Sequence, residues 1–191
     1  TKRSSAPAIL SRPMAQTWIA LLRGINVGGT GKLPMADFRA ALSAAGFGNV
    51  RSYIQSGNII LESELGCETV ESRIKDILQD EFGLDRPVLL RSVDQLRTAL
   101  ADNPFSQAEA DPETLHIMFL TGKVSLDEAG LRALCDKGEE FSLLGDVFYL
   151  YTPNGYGRSK PAEKLDRFLK AEAVTARNLN SCQKILALSA N

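Results

Sequence analysis

The stretch Leu-Leu-Arg-Gly-Ile-Asn-Val-Gly-Gly-Thr-Gly-Lys-Leu-Pro-Met, residues 21–35, gathers groups that anion chemistry needs. Arg23 leaves a short apolar run, Asn26, Gly28 and Gly29 follow, and Lys32 stands before Pro34. Glycine admits positive φ and lets backbone N–H groups approach a ligand closely. Proline suits the first turn of a helix, whose N-terminus carries unpaired donors and partial positive charge. The spacing is not that of a Walker loop, because Asn26 stands five residues before Gly31 and Leu33 replaces the metal-binding hydroxyl. Nor is it a dinucleotide fingerprint, since Pro34 occupies the third glycine position. What remains is a strand, a glycine-bearing turn and two cations, which predict a local oxyanion or phosphate cradle. A solvated turn accounts for the loop's composition equally well.

A second polar group lies in Tyr-Ile-Gln-Ser-Gly-Asn, residues 53–58, with Gln55, Ser56 and Asn58 at a hairpin. A plain turn needs only glycine and asparagine, so Gln55 is its least expected member. Two further segments join the candidate set. Arg158, Ser159 and Lys160 lead into one helix, and Arg177 and Asn178 into another. Ser159 and Asn178 are good N-caps, so both segments also read as ordinary helix starts. If the two halves of the chain face one another, their cations join the first loop across a cleft.

Other chemistry finds little support. The single histidine, His116, alternates with Met118 and Leu120 and reads as a satisfied core residue rather than a base or ligand. Without a second histidine no Ser-His or Cys-His pair exists. Cys67, Cys135 and Cys182 are odd in number and far apart, so neither a disulfide framework nor a zinc set is expected, and each reads as a small buried hydrophobe. The residues name no metal and no cofactor. A chain of 191 residues with formal net charge −1 has no bulk field for nucleic acid or an anionic membrane. Free thiols favour the cytoplasm, and no apolar run is long enough to span a bilayer.

These groups must be held by elements that the periodicity predicts. Strands are expected at 18–24, 50–55, 59–63 and 87–91, with helices after the first and third, giving a βαββαβ unit over 15–92. A linking helix and loop occupy 93–112, the helix stopping near Asn103-Pro104. A second βαββαβ unit follows over 113–191. It has a strand at 115–120, a helix at 125–137 opened by a Ser-x-x-Glu capping box, a hairpin about Gly145-Asp146 and a helix at 162–170. A short Ala-Val-Thr-Ala-Arg strand and a closing helix complete it. Residues 1–14 read as an N-terminal extension. The expected fold class is therefore α+β: two ferredoxin-like subdomains in tandem, joined by a helix. In such a unit the first and second strands run the same way, so the 23–33 loop and the 55–58 hairpin meet at one sheet edge.

The segments 20–29, Pro34-Met35, 53–58, Asn103-Pro104-Phe105, Arg158-Ser159-Lys160 and 175–178 resemble a bacterial family known as domain of unknown function 1697. The resemblance covers essentially the whole chain after Met14 and implies two ferredoxin-like α+β subdomains, with no established activity. Leu179 stands where the family often has an aromatic residue, which removes one possible stacking side chain.

The expected function is binding of a small anionic ligand, such as a nucleotide or phosphorylated metabolite. The alternatives are an RNA or single-stranded nucleic-acid module, for which Tyr53, Phe148, Tyr149 and Tyr151 lie on strands, and a phosphoryl- or nucleotidyl-transfer enzyme. The sequence leaves oligomeric state open.

Overall fold

Most of Gln16–Leu22 (β1) and Asn58–Ser63 (β3) is buried on both faces, because helices cover each side of the sheet they share. The structure, a computed structural model, describes residues 14–190, so residues 1–13 of the expected extension lie outside the described residues. Within them the chain is mixed α+β, with antiparallel sheets and six α-helices.

The first sheet adds Gly48–Tyr53 (β2) and Val88–Ser92 (β4) in the order β2-β3-β1-β4, every neighbour antiparallel. Both β1 and β2 are antiparallel to β3, so their C-terminal ends share one edge. One face packs on Met35–Ala44 (α1) and Cys67–Phe82 (α2) through Ala20, Leu22, Phe38, Leu61 and Ile74. Gly83 ends α2 in the left-handed region at φ 64°, as a glycine C-cap does. The opposite face, with Ile19, Leu21 and Ile60, meets Val93–Ala101 (α3), which opens with a Ser92–Gln95 capping box.

After two short 3-10 turns, Leu115–Thr121 (β5) begins a second sheet. With Glu140–Leu144 (β7), Val147–Tyr151 (β8) and Ala173–Asn178 (β10) it forms a sheet in the order β10-β5-β8-β7; Ser125–Leu126 is β6 and Leu169–Lys170 is β9. Ile117, Phe119 and Tyr149 face the middle core that β1, β3, α3 and the last helix, Leu179–Ser189 (α6), also fill. Met118, Phe148 and Leu150 face the other way, toward Glu128–Arg132 (α4) and Lys160–Phe168 (α5). Each fully buried aliphatic side chain contributes about 1.5–3 kcal/mol. Two sheets sharing one middle core therefore hold the halves in fixed register.

Two expected helices differ from the sequence reading. The helix expected over 125–137 is only α4, because Ser125 and Leu126 pair with Lys170 and Leu169 as a two-stranded ribbon. Its N-cap is Asp127, which accepts from Gly130 N at 3.0 Å, so the Ser125 capping box does not form. The helix expected over 162–170 starts at Lys160, and its last two residues are β9. The cysteines also divide: Cys182 is buried and Cys135 half-buried, but Cys67 is exposed at the start of α2.

Candidate functional site

At the end of β1 the backbone N–H of Arg23 donates to Pro87 O at 3.0 Å, and Gly24 turns the chain at φ 68°. Ile25 anchors the loop in the core. Asn26 takes φ 53°, a left-handed conformation that asparagine tolerates better than most residues. Its side chain then serves the loop itself. Nδ2 donates to Leu33 O at 2.9 Å and to Gln55 O at 2.8 Å, while Oδ1 accepts from Leu33 N at 2.8 Å. Asn26 N donates to Gly31 O and Thr30 N to Val27 O, closing a two-residue turn whose central Gly28 and Gly29 both have positive φ. The glycine stretch is thus a small, tied hairpin tongue, with open space around Gly28 and Gly29.

The β2–β3 hairpin is bound to that tongue. Leu22 N donates to Gly57 O at 2.8 Å, and the Asn26 amide holds Gln55. Gly57, at φ 78°, lies so close to β1 that a Cβ there would fall 2.8 Å from Leu22 Cβ. Ile54, with φ 49°, is a β-branched residue in a region such residues rarely enter, and it is exposed. Asn58 is fully buried; its Nδ2 donates to Tyr53 O and to Ser56 Oγ at 3.2 Å.

Arg177, near the end of β10, crosses from the second sheet to this edge. Its Nε donates to Asn58 Oδ1, and Nη1 to Thr175 Oγ1 and Ala176 O. Nη2 reaches Leu22 O at 2.8 Å, Ser56 O at 3.2 Å and Gly57 O at 3.4 Å. All five of its N–H groups are used. Among the described residues no carboxylate pairs with it. Burial pushes its pKa down to about 10, so it stays charged at neutral pH. A cation held by carbonyl and hydroxyl oxygens, with no carboxylate partner among the described residues, leaves net positive potential at this edge.

Above it opens a cleft of about 600 Å³. Arg23, Gly24 and Ser56 line the side made by the first sheet, and Thr175, Ala176 and Arg177 the side made by β10. The α5 wall carries Glu163 and Asp166, with Lys170 beyond, and Tyr156 closes one flank. The Tyr156 ring stacks on His116 with centroids 3.9 Å apart and an interplanar angle of 29°. His116 is not the satisfied core histidine expected. Its Nδ1 is buried without a hydrogen-bond partner, and burial lowers its pKa to about 4.

Of the residues expected to form a site, the cleft lining includes Arg23, Ser56 and Arg177. Asn58 lies behind it as a buried support. Lys32, Gln55, Arg158 and Lys160 are exposed outside the lining, and Gly28 and Gly29 form the tongue's tip. Ser159 and Asn178 act as N-caps, accepting from Ala162 N at 3.2 Å and Ser181 N at 2.8 Å.

Sequence reasoning missed Tyr156, Glu163, Asp166 and Lys170. The α5 residues recur at helical spacing, and that signal was readable once one face was assigned to a cleft. It also missed Arg86, whose guanidinium packs against Gly24 and Gly31 at the tongue's base. The β1–β4 register, in which Leu22 pairs with Val88, carries Arg86 to that place.

Among the described residues no group of three or more His, Cys, Asp or Glu side chains could hold a metal ion, and no helix is long and apolar enough to cross a membrane. The sequence family described as "protein of unknown function (DUF1697)" matches residues 15–149, and the chain belongs to that family. No curated protein matches in sequence. A conserved bacterial protein from Streptococcus pneumoniae has a similar structure, with a TM-score of 0.74 at 24% identity. That likeness covers 92% of this chain and 99% of the other, and it establishes likeness of fold alone.

Proposed function

We propose that this protein binds a small phosphate-bearing ligand in the cleft between its two halves. The observation that carries the reading is Arg177: a half-buried cation, with no carboxylate partner among the described residues, lining a cleft that Arg23 and Ser56 also line. Its donors are consumed, so it contributes field rather than direct contacts. Arg23 is exposed and its side chain makes no hydrogen bond or ion pair among the described residues, which leaves its guanidinium for the anion. The Ser56 hydroxyl accepts from Asn58, so its own proton remains to donate. Asn26, Asn58 and the tongue glycines then position rather than contact the ligand. Lys32 and Arg86 steer it from outside the lining.

We also read the two units as ferredoxin-like, with boundaries at 15–92 and 113–191. Both sheets place their strands in the same order relative to chain sequence, which supports that reading. Of the four strand aromatics behind the nucleic-acid alternative, Phe148 and Tyr149 are buried in separate cores, while Tyr53 and Tyr151 are half-buried against the middle core, which leaves that alternative less support. The three free thiols favour a reducing compartment such as the cytoplasm.

Titration of phosphate esters into the protein and its Arg23→Ala variant tests the reading. Binding that falls at least about tenfold on losing Arg23 supports it. Affinity unchanged by that substitution removes the cleft as the site.

A further inference from the structure

We propose that the cleft takes a ribonucleoside 5′-monophosphate, its phosphate at the arginine end and its ribose hydroxyls on the α5 carboxylates. This rests on the anion-binding reading above and names the ligand class.

The two ends of the cleft differ in charge. One presents Arg23, Ser56 and the field of Arg177; the α5 wall presents Glu163 and Asp166. Neither carboxylate is paired with a cation among the described residues. The two are three residues apart on one helix, hence on one face. Ionised carboxylates only accept hydrogen bonds, so this end selects O–H or N–H donors and repels a second anionic group. A ligand that suits both ends is anionic at one terminus and rich in donors in its middle. A vicinal diol meets that demand with two adjacent O–H groups.

Lys170 and Thr175 aside, the rest of the lining is mostly apolar and aromatic. Ile25, Met118 and Leu165 contribute to it, and the Tyr156 ring is held by its stack on His116. A sugar phosphate alone would leave that surface wet, whereas a nucleobase covers it and can lie against the tyrosine. The volume, about 600 Å³, lies within the roughly 300–1,000 Å³ of small-molecule sites.

The test is calorimetric titration of the full chain with the four common ribonucleoside 5′-monophosphates, adenosine, ribose 5-phosphate and 2′,3′-dideoxy-AMP. At least one ribonucleotide is expected to bind, with the unphosphorylated nucleoside and ribose 5-phosphate each weaker by about tenfold or more. The dideoxynucleotide is expected to lose a similar factor. In a Glu163→Gln, Asp166→Asn variant, whose exposed positions leave thermal stability nearly unchanged, that preference for ribose is expected to collapse toward unity. Ribose 5-phosphate binding as tightly as every nucleotide would overturn the nucleotide assignment while leaving the anion reading intact. Ribose preference that survives in the double variant would overturn the role of α5. Silence from every phosphate-bearing compound would overturn both this inference and the reading beneath it.

Discussion

The Nε of Arg177 donates to Oδ1 of Asn58, joining residues 119 positions apart in the chain. Asn58 is itself fully buried and fixed to Tyr53 O and Ser56 Oγ, so the bond transmits the position of the β2–β3 hairpin to β10. A half-buried guanidinium costs desolvation energy, which its bonds to Leu22, Ser56 and Gly57 carbonyls offset. The same residue thus holds the halves together and charges the cleft.

Arg177→Ala is expected to destabilise the protein by about 3–5 kcal/mol, because Asn58 Oδ1 and several carbonyls lose their donor at once. Arg177→Lys recovers only part, since an ammonium cannot present the planar fork. Urea denaturation measures both. A loss below about 1 kcal/mol for alanine would show the network to be peripheral to the fold.

The glycines of the tongue and hairpin are expected to fall into two classes. At Gly31 a Cβ would lie 2.1 Å from Gly24 O, and at Gly57 it would lie 2.8 Å from Leu22 Cβ, both at positive φ. Gly31→Ala and Gly57→Ala are therefore expected to cost more than about 2 kcal/mol each. Gly28→Ala meets nothing within 4 Å and carries only the left-handed backbone penalty, about 1–2 kcal/mol. Equal losses at all three positions would contradict the packing described.

Asn26→Ala removes three hydrogen bonds that tie the tongue to Leu33 and Gln55. About 1–3 kcal/mol of stability should go with it, with faster amide exchange at Leu33. Asn26→Gly keeps the favourable φ but not the bonds, so it should be destabilised as well. Full recovery by glycine would mean that backbone conformation alone explains the residue.

Stability is expected to fall as pH drops below about 6.5, through His116. Its folded pKa of about 4 lies below the ordinary 6.5 because burial disfavours the imidazolium. The unfolded chain therefore takes up the proton first. The contribution is whole above pH 6.5, shrinks by about 2 kcal/mol near pH 5, and levels off below the folded pKa. His116→Phe keeps a ring against Tyr156 and should flatten the pH profile between 6.5 and 5. An unchanged slope in that variant would assign the effect elsewhere.

Local signals told most of the fold. Gly83 after α2, the Gly145 turn between β7 and β8, and the alternating run of β5 all sit where their chemistry places them. The helix expected at 125–137 failed because a long-range pairing, Leu126 with Leu169, outweighed a local capping pattern. The meeting of the tongue and the 55–58 hairpin was legible, since it follows from strand direction alone. Which side chains line the cleft was not. Ser159 and Asn178 spend their oxygens on helix caps, and Arg177 spends its Nε and Nη2 donors on carbonyls 119 to 155 positions away. Such partners are set by the packing of one sheet against the other, which one-dimensional spacing does not encode.

The most direct measurement is a thermal-shift titration of the full chain and its Arg23→Ala variant against ribonucleoside monophosphates and simpler phosphate esters. Binding at the cleft should stabilise the native chain by about 2.7 kcal/mol at a ligand concentration near 100 times Kd, with the stabilisation cut to about half or less in Arg23→Ala. A shift of equal size in the variant would contradict the cleft as the anion site.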